Sequence, residues 1–305
     1  MFRLAPIALL ALIPAVMTAT APSLLTWADL TARPQPRPDA TIAYGDDDMQ
    51  KVDVWLPAGK GPLPTPLPPP LPTVVMVHGG CWTTSIADRS LMNWIADDLR
   101  KDGIAVWNID YRGVDRPGGG YPGTFLDAAA AADSLVANAK RFHLDTGHIV
   151  AVGHSAGGHL ALWLAARPKL PKGSPLRTAA PLPIAHVISL GGLPDLEATA
   201  ASPDNGCGTD VVRQLVGPPD ARPDVYADTS IPRLLPIGVP QDLVNGPEDR
   251  IIPIRLGTGY EAKARQAGDN ARLHIVPATG HVELVTPDTK AWTETKRLIR
   301  AALKH

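Results

Sequence analysis

The stretch Ile149-Val150-Ala151-Val152-Gly153-His154-Ser155-Ala156-Gly157-Gly158-His159-Leu160 decides the fold. It opens as a short apolar run typical of a strand buried on both faces and continues into an apolar helix over Ala156 to Ala166. A Gly-x-Ser-x-Gly turn, Gly153 to Gly157, sits at the junction. A serine on so sharp a strand-to-helix turn projects above the sheet, and the flanking glycines are needed because a Cβ at either would clash. The helix N-terminus behind Ser155 favours developing negative charge. An ordinary glycine-rich turn is the alternative, and a second motif argues against it.

That motif is His78-Gly79-Gly80-Cys81-Trp82, directly after the strand-like run Thr73 to Val77. Attack on an ester or amide carbonyl puts negative charge on its oxygen, and preorganised backbone N–H groups stabilise it. Adjacent glycines allow the close approach this needs. Gly80 and Cys81, with Ala156, are the expected oxyanion donors, and a shift by one residue to Gly79 is the alternative. Cys81 then acts through its backbone; a catalytic cysteine would leave the serine turn unexplained.

With these two motifs the chain resembles the α/β-hydrolase superfamily, and within it the esterase group whose oxyanion strand ends in HGGxW, which includes kynurenine-formamidase-like and carboxylesterase-like enzymes. The resemblance runs from about Ile42 to the C-terminus. It implies a serine hydrolase of carboxylic esters, with amidase, arylformamidase-like or peptidase activity as the rival, and a chain order of nucleophile, acid, histidine. No metal or organic cofactor is implied. His281, in the loop after the strand-like run Leu273 to Val276, is the expected base. Asp249, in Gly246-Pro-Glu-Asp-Arg-Ile-Ile-Pro253, is similar to the family's acid turn, with Glu248, Asp242 and Asp195 as competitors. Tyr111 and Tyr121 are candidates for shaping a substrate pocket, Trp82 for a packing anchor, and His78 and His154 for loop support. A noncatalytic binding protein that keeps the fold predicts loss of a triad member, and none is lost.

Elsewhere strands and helices alternate: helix Ser90 to Lys101, strand Ile104 to Ile109, helix Thr124 to Phe142, strands Val187 to Leu190 and Leu234 to Leu243, and a closing helix Lys290 to Leu303. A strand pair over Thr41 to Tyr44 and Val52 to Pro57 precedes them. Such alternation predicts an α/β fold with a mostly parallel central sheet and helices on both faces. Residues 195–232 break the rhythm and read as a small lid-like insertion over the carboxyl ends of the strands. Gly118 to Gly123 matches the dinucleotide fingerprint GxGxxG, but eight residues separate it from the preceding strand and Pro122 interrupts it, so dinucleotide binding is rejected.

The composition agrees. With 29 Lys plus Arg against 30 Asp plus Glu, no charged surface argues for a nucleic-acid or membrane partner, and small-molecule esters or amides are the expected partners. The 33 prolines are roughly twice the usual share and gather in loops, notably Gly61 to Pro72. Residues 1–21 have the order of a signal peptide: Arg3, an apolar run too short to span a bilayer, then small residues. The expected location is therefore periplasmic or secreted, with no membrane span after the leader is removed. Residues 22–40 read as an extended, proline-rich leader and 41–305 as the hydrolase domain. In an oxidising compartment Cys81 and Cys207 admit two readings, a bridge or two separate buried thiols.

Overall fold

A computed structural model describes residues 23–57 and 69–304; the expected signal peptide and most of the Gly61 to Pro72 stretch lie outside them. The chain runs α1 (Trp27–Thr31), β1 (Ala40–Ala43), β2 (Lys51–Trp55), β3 (Thr73–Val77), α2 (Asn93–Lys101), β4 (Ala105–Ile109), α3 (Gly123–Phe142), β5 (Val150–His154) and α4 (Ala156–Ala166). It continues through β6 (His186–Leu190), α5 (Leu196–Ala200), α6 (Thr209–Val216), β7 (Gln241–Asn245), α7 (Ile254–Gln266), β8 (Ala271–Ile275) and α8 (Lys290–Ala302).

The eight strands form one sheet in the order β1-β2-β4-β3-β5-β6-β7-β8. β2 is antiparallel to both its neighbours, and β4 through β8 run parallel. The period of two is visible within β3: Val75 and Val77 enter the core under α3, α4 and α7, while Val74 and Met76 enter the core under α2 and α8. A strand buried on both faces needs apolar residues at every position, which explains the unbroken run Val74 to Val77. The chain steps from β3 to β4 on one side and then to β5 on the other. Loops after β3 and β5 therefore face each other across the point where strand order reverses, the usual crevice of an open α/β sheet.

All eleven residues of α4 are buried, as an apolar helix packed directly on the sheet requires. Its first turn sits so close to β3 that a Cβ on Gly157 would lie 2.2 Å from the Val77 carbonyl oxygen and 2.3 Å from that of His78. A Cβ on Gly153 would lie 2.0 Å from the Gly157 carbonyl oxygen. The glycines of the serine turn are thus fixed by backbone contact. The rejected glycine motif has a similar use: a Cβ on Gly123 would lie 1.6 Å from the Gly118 carbonyl oxygen, so the loop folds on itself ahead of α3.

Three expectations change. Of the expected strand Leu234 to Leu243 only Gln241 to Leu243 is extended, in a strand that runs Gln241–Asn245. Pro236 and Pro240 cannot donate to a ladder and Gly238 takes φ 77°, so the segment before Gln241 is irregular. Residues 22–40 are not merely an extended leader. Thr26 and Asp29 form a reciprocal cap on α1, and Leu30 is fully buried with α2 and α8. The insertion 195–232 carries two short helices, α5 and α6, the second bringing Val212, Leu215 and Val216 into the core.

Gly157→Ala tests the close approach of α4 to β3. Because backbone oxygens would have to move, we expect a loss of about 1–3 kcal/mol in urea denaturation, with Gly173→Ala, where a Cβ meets nothing within 4 Å, as the neutral control.

Candidate active site

The cleft lies at the carboxyl ends of β3, β5, β7 and β8 and has a volume of about 340 Å³. Ser155, Gly80, Cys81 and His281 line it together. Ser155 takes φ 55° and ψ −122°, a conformation that costs a non-glycine residue about 1–3 kcal/mol. Its N–H donates to the Leu190 carbonyl at 2.8 Å, which ties the strained residue to β6. Ala156 opens α4, so its N–H points out of the helix end.

His281 stands in the loop after β8, and its Nδ1 lies 2.6 Å from Asp249 Oδ2. The other oxygen, Asp249 Oδ1, accepts from the N–H groups of Ile251 and Ile252, each at 2.8 Å. The carboxylate is thereby aimed, and it fixes the imidazole so that Nε2 is the free position. No hydrogen bond joins His281 to Ser155 among the described residues; such contacts tighten when substrate is bound. The competing carboxylates are engaged elsewhere. Asp195 caps α5, Asp242 lies between His186 and His274 at 2.7 Å from each, and Glu248 accepts from the Thr279 N–H at 3.1 Å.

The oxyanion turn holds three successive residues at positive φ: Gly80 at 105°, Cys81 at 53° and Trp82 at 54°. Among the described residues the N–H groups of Gly80, Cys81 and Ala156 have no protein acceptor, and neither does that of Gly79. A Cβ on Gly79 would lie 3.0 Å from Ser155 Cβ, so that glycine is the close-packing partner of the serine. Cys81 and Cys207 are bridged, with Cα atoms 5.3 Å apart, which decides between the two readings of the cysteines. Next to Cys207, the Gly206 N–H donates to the Ile251 carbonyl at 2.6 Å. The turn His78 to Trp82 is thus linked through Gly206 and Cys207 to the turn that carries Asp249.

Behind the turn, His78 Nε2 lies 2.8 Å from Asp110 Oδ1 and its ring stacks on Tyr111 at 4.4 Å. Burial alone would raise the Asp110 carboxyl, but hydrogen bonds and charge from His78 and Arg89 together hold it below its ordinary range. Tyr111 is buried and donates its hydroxyl to the His78 carbonyl at 3.1 Å, so it supports the turn and does not line the cleft. Tyr121 does not line the cleft either; its hydroxyl donates to Asp228 at 3.0 Å under the Arg222 guanidinium. In both cases the hydroxyl is engaged by a protein acceptor away from the cleft, the His78 carbonyl for Tyr111 and the Asp228 carboxylate for Tyr121. Trp82 is fully buried and donates from Nε1 to His159 Nδ1 at 3.3 Å, a packing anchor as expected.

His154 donates from Nε2 to the His281 carbonyl at 3.2 Å, and its buried Nδ1 has no partner. Burial first, and the charge of His281 second, hold its pKa well below the ordinary histidine value. A neutral imidazole therefore backs His281. Sequence reasoning missed seven cleft contributors. Trp27 and Thr31 come from α1, Ile86, Ala87 and Leu91 from the segment ahead of α2, Ile251 from the turn after Asp249 and Gly206 from residues 195–232. Glu283 was also missed: its carboxylate accepts from the Leu25 N–H and from the Gly280 N–H, pinning α1 to the His281 loop. The signal for α1 was the pattern Thr26-Trp-Ala-Asp29-Leu30, hidden among prolines.

A family model described as BD-FAE matches residues 62–262. The chain belongs to the BD-FAE family. The match contains Ser155 and Asp249 and ends before His281, so the histidine rests on geometry. Among curated proteins this BD-FAE chain is similar to Esterase LipC of Mycobacterium tuberculosis, 27% identical over 252 residues, covering 79% of this chain and 58% of the relative. The chain therefore spans little more than half the length of that relative. Esterase B from Lactobacillus rhamnosis superposes with a TM-score of 0.70 at 18% identity over 89% of each chain. A bacterial heroin esterase superposes with a TM-score of 0.63 at 23% identity, over 87% of this chain and 83% of its own. The α/β-hydrolase fold expected from the motifs is borne out.

Two measurements check the site's supports. The buried His159 is held down to about 4 by desolvation, partly offset by its hydrogen bond to the Thr229 carbonyl. Its unfolded value is higher, so the unfolded chain binds the proton more readily and stability falls as pH drops from 6.5 to 4. This contributes about 3 kcal/mol over that window, and urea denaturation should show a shallower pH slope for His159→Gln. Separately, alkylation of the denatured, nonreduced chain should add no label by intact mass, and Cys207→Ala should lower stability by about 2–5 kcal/mol; two added labels would refute the bridge.

Proposed function

We propose that the protein hydrolyses small carboxylic esters through an acyl-enzyme, with Ser155 as nucleophile, His281 as general base and then acid, and Asp249 orienting the histidine. The observation that carries this reading is the Asp249–His281 pair at 2.6 Å, opening into the same cleft as strained Ser155. Ser155 Oγ attacks the carbonyl carbon as His281 Nε2 takes its proton. The N–H groups of Gly80, Cys81 and Ala156 receive the oxyanion, each such donor being worth about 2.7–4 kcal/mol at the transition state. His281 then returns the proton to the departing alcohol oxygen. A water, deprotonated by the same nitrogen, releases the acid and restores the serine. The similarity to Esterase LipC and to the heroin esterase, both esterases by name, supports ester cleavage as the reaction class.

We further propose that the chain is exported, its first 21 or so residues being removed. The Cys81–Cys207 bridge favours an oxidising compartment. Residues 41–305 act as the catalytic domain, with 195–232 as the lid-like insertion.

A fluorophosphonate probe should label the purified wild type stoichiometrically and leave Ser155→Ala unlabelled. On p-nitrophenyl esters, Ser155→Ala and Asp249→Asn should each lower kcat by roughly 10⁴-fold or more. Equal labelling of Ser155→Ala would sink the nucleophile assignment. Turnover of aryl amides or N-formylkynurenine with none of the esters would sink the ester reading in favour of amide cleavage.

A further inference from the structure

We infer that Trp27, on the N-terminal helix α1, is a specificity-determining residue: it forms the wall against which the alcohol half of the ester rests and limits its size. The inference rests on the reading of Ser155 and His281 as nucleophile and base.

Three observations carry it. First, position: Trp27 lines the cleft with Ser155 and His281, and its ring meets the His281 ring edge-on at 6.2 Å and the His154 ring at 6.1 Å. In an acyl transfer the histidine hands its proton to the oxygen of the departing alcohol. That alcohol must therefore leave beside His281, the residue Trp27 flanks. Second, chemistry and size: Trp27 is half-buried, and Leu91, Ile86 and Ile251 continue an apolar lining. At about 340 Å³ the cleft stands at the small end of ligand sites, so removing one indole changes what fits.

Third, rigidity. A wall discriminates only if it does not yield, and α1 is held on both sides. Leu30 is fully buried, the Leu25 N–H donates to Glu283, and Thr26 and Asp29 cap the helix reciprocally. Beyond it, Trp94 Nε1 donates to the Pro34 carbonyl at 3.2 Å and Asn93 Nδ2 to the Pro36 carbonyl at 3.2 Å. Trp27 itself makes none of these anchoring bonds, so it can be replaced while the anchors stay. The prolines of this segment limit the freedom of the unanchored chain as well.

The test uses the full chain as purified, with Trp27→Ala and the intermediate Trp27→Phe, on two substrate series. One keeps an acetyl group and varies the alcohol from methyl through benzyl to naphthyl, with acid release followed by pH-stat. The other keeps p-nitrophenol and lengthens the acyl chain from acetyl to octanoyl. Trp27→Ala should raise the kcat/KM ratio of naphthyl to methyl ester about tenfold, with Trp27→Phe between, while the acyl-length profile stays within about twofold. An unchanged alcohol ratio, or an acyl profile that moves as far as the alcohol series, overturns the inference. Stoichiometric fluorophosphonate labelling of each variant shows that it is folded and armed. If labelling persists in Ser155→Ala, the nucleophile reading fails on its own account; if labelling behaves as proposed and the alcohol ratio does not move, only the role of Trp27 fails.

Discussion

Everything in the site depends on how closely the backbone of α4 approaches the end of β3. Gly157 brings its Cα against the carbonyls of Val77 and His78, at a distance no side chain tolerates. That contact places the Ser155 turn and the His78 to Trp82 turn on adjacent parallel strands, at the position where strand order reverses. Because β3 and β5 are parallel and paired in register from Val74↔Val150 to Val77↔Gly153, both turns begin at the same height. The proposed oxyanion site and the proposed nucleophile are then neighbours by construction, and no long-range side-chain bond is needed to align them.

The motifs were legible because the backbone dictates them. Close backbone approach at Gly79, Gly153 and Gly157 and a positive φ at Gly80 require glycines at fixed offsets, and those offsets survive as strings in the sequence. Asp249 and His281 were legible through chain order, and the 2.6 Å contact between them chose among four carboxylates that sequence alone left open. The parts that were not legible are set by tertiary contact. Tyr111 and Tyr121 lie in a loop whose direction depends on Asp127, which accepts from the Arg112 N–H and guanidinium, and no local pattern encodes that bend. The strand Gln241–Asn245 was overextended because Leu234, Leu235 and Ile237 are apolar for a different reason: Leu234 and Ile237 fill the core from irregular backbone. The helix α1 was lost in a proline-rich composition, since five residues carry too little periodicity to stand out.

The acid and base loops are held by a second set of bonds that share members with the first. Glu283 joins the His281 loop to α1, Glu248 joins it to the acid turn, and His154, one residue before Ser155, donates to the His281 carbonyl. Moving any one of these loops therefore strains the other two. Such a closed set of contacts keeps the proposed proton path short without a direct Ser155–His281 bond in the unliganded chain.

The oxyanion turn poses the sharper energetic problem. Cys81 and Trp82 both sit at positive φ, and strain of about 1–3 kcal/mol at each persists only if the surroundings over-determine the conformation. Trp82 is fixed by complete burial and its bond to His159, and His78 by its stack on Tyr111 and its contact with Asp110. Cys81 lines the cleft and is only half-buried, so packing alone does not fix it. The covalent bond to Cys207 and the Thr83 hydroxyl, which donates to the Cys81 carbonyl at 3.1 Å, hold this residue while leaving its N–H unpaired among the described residues. On this account the bridge serves the proposed catalytic geometry as much as stability, since it ties the turn that carries Cys81 to the segment whose Gly206 N–H donates to the Ile251 carbonyl beside Asp249.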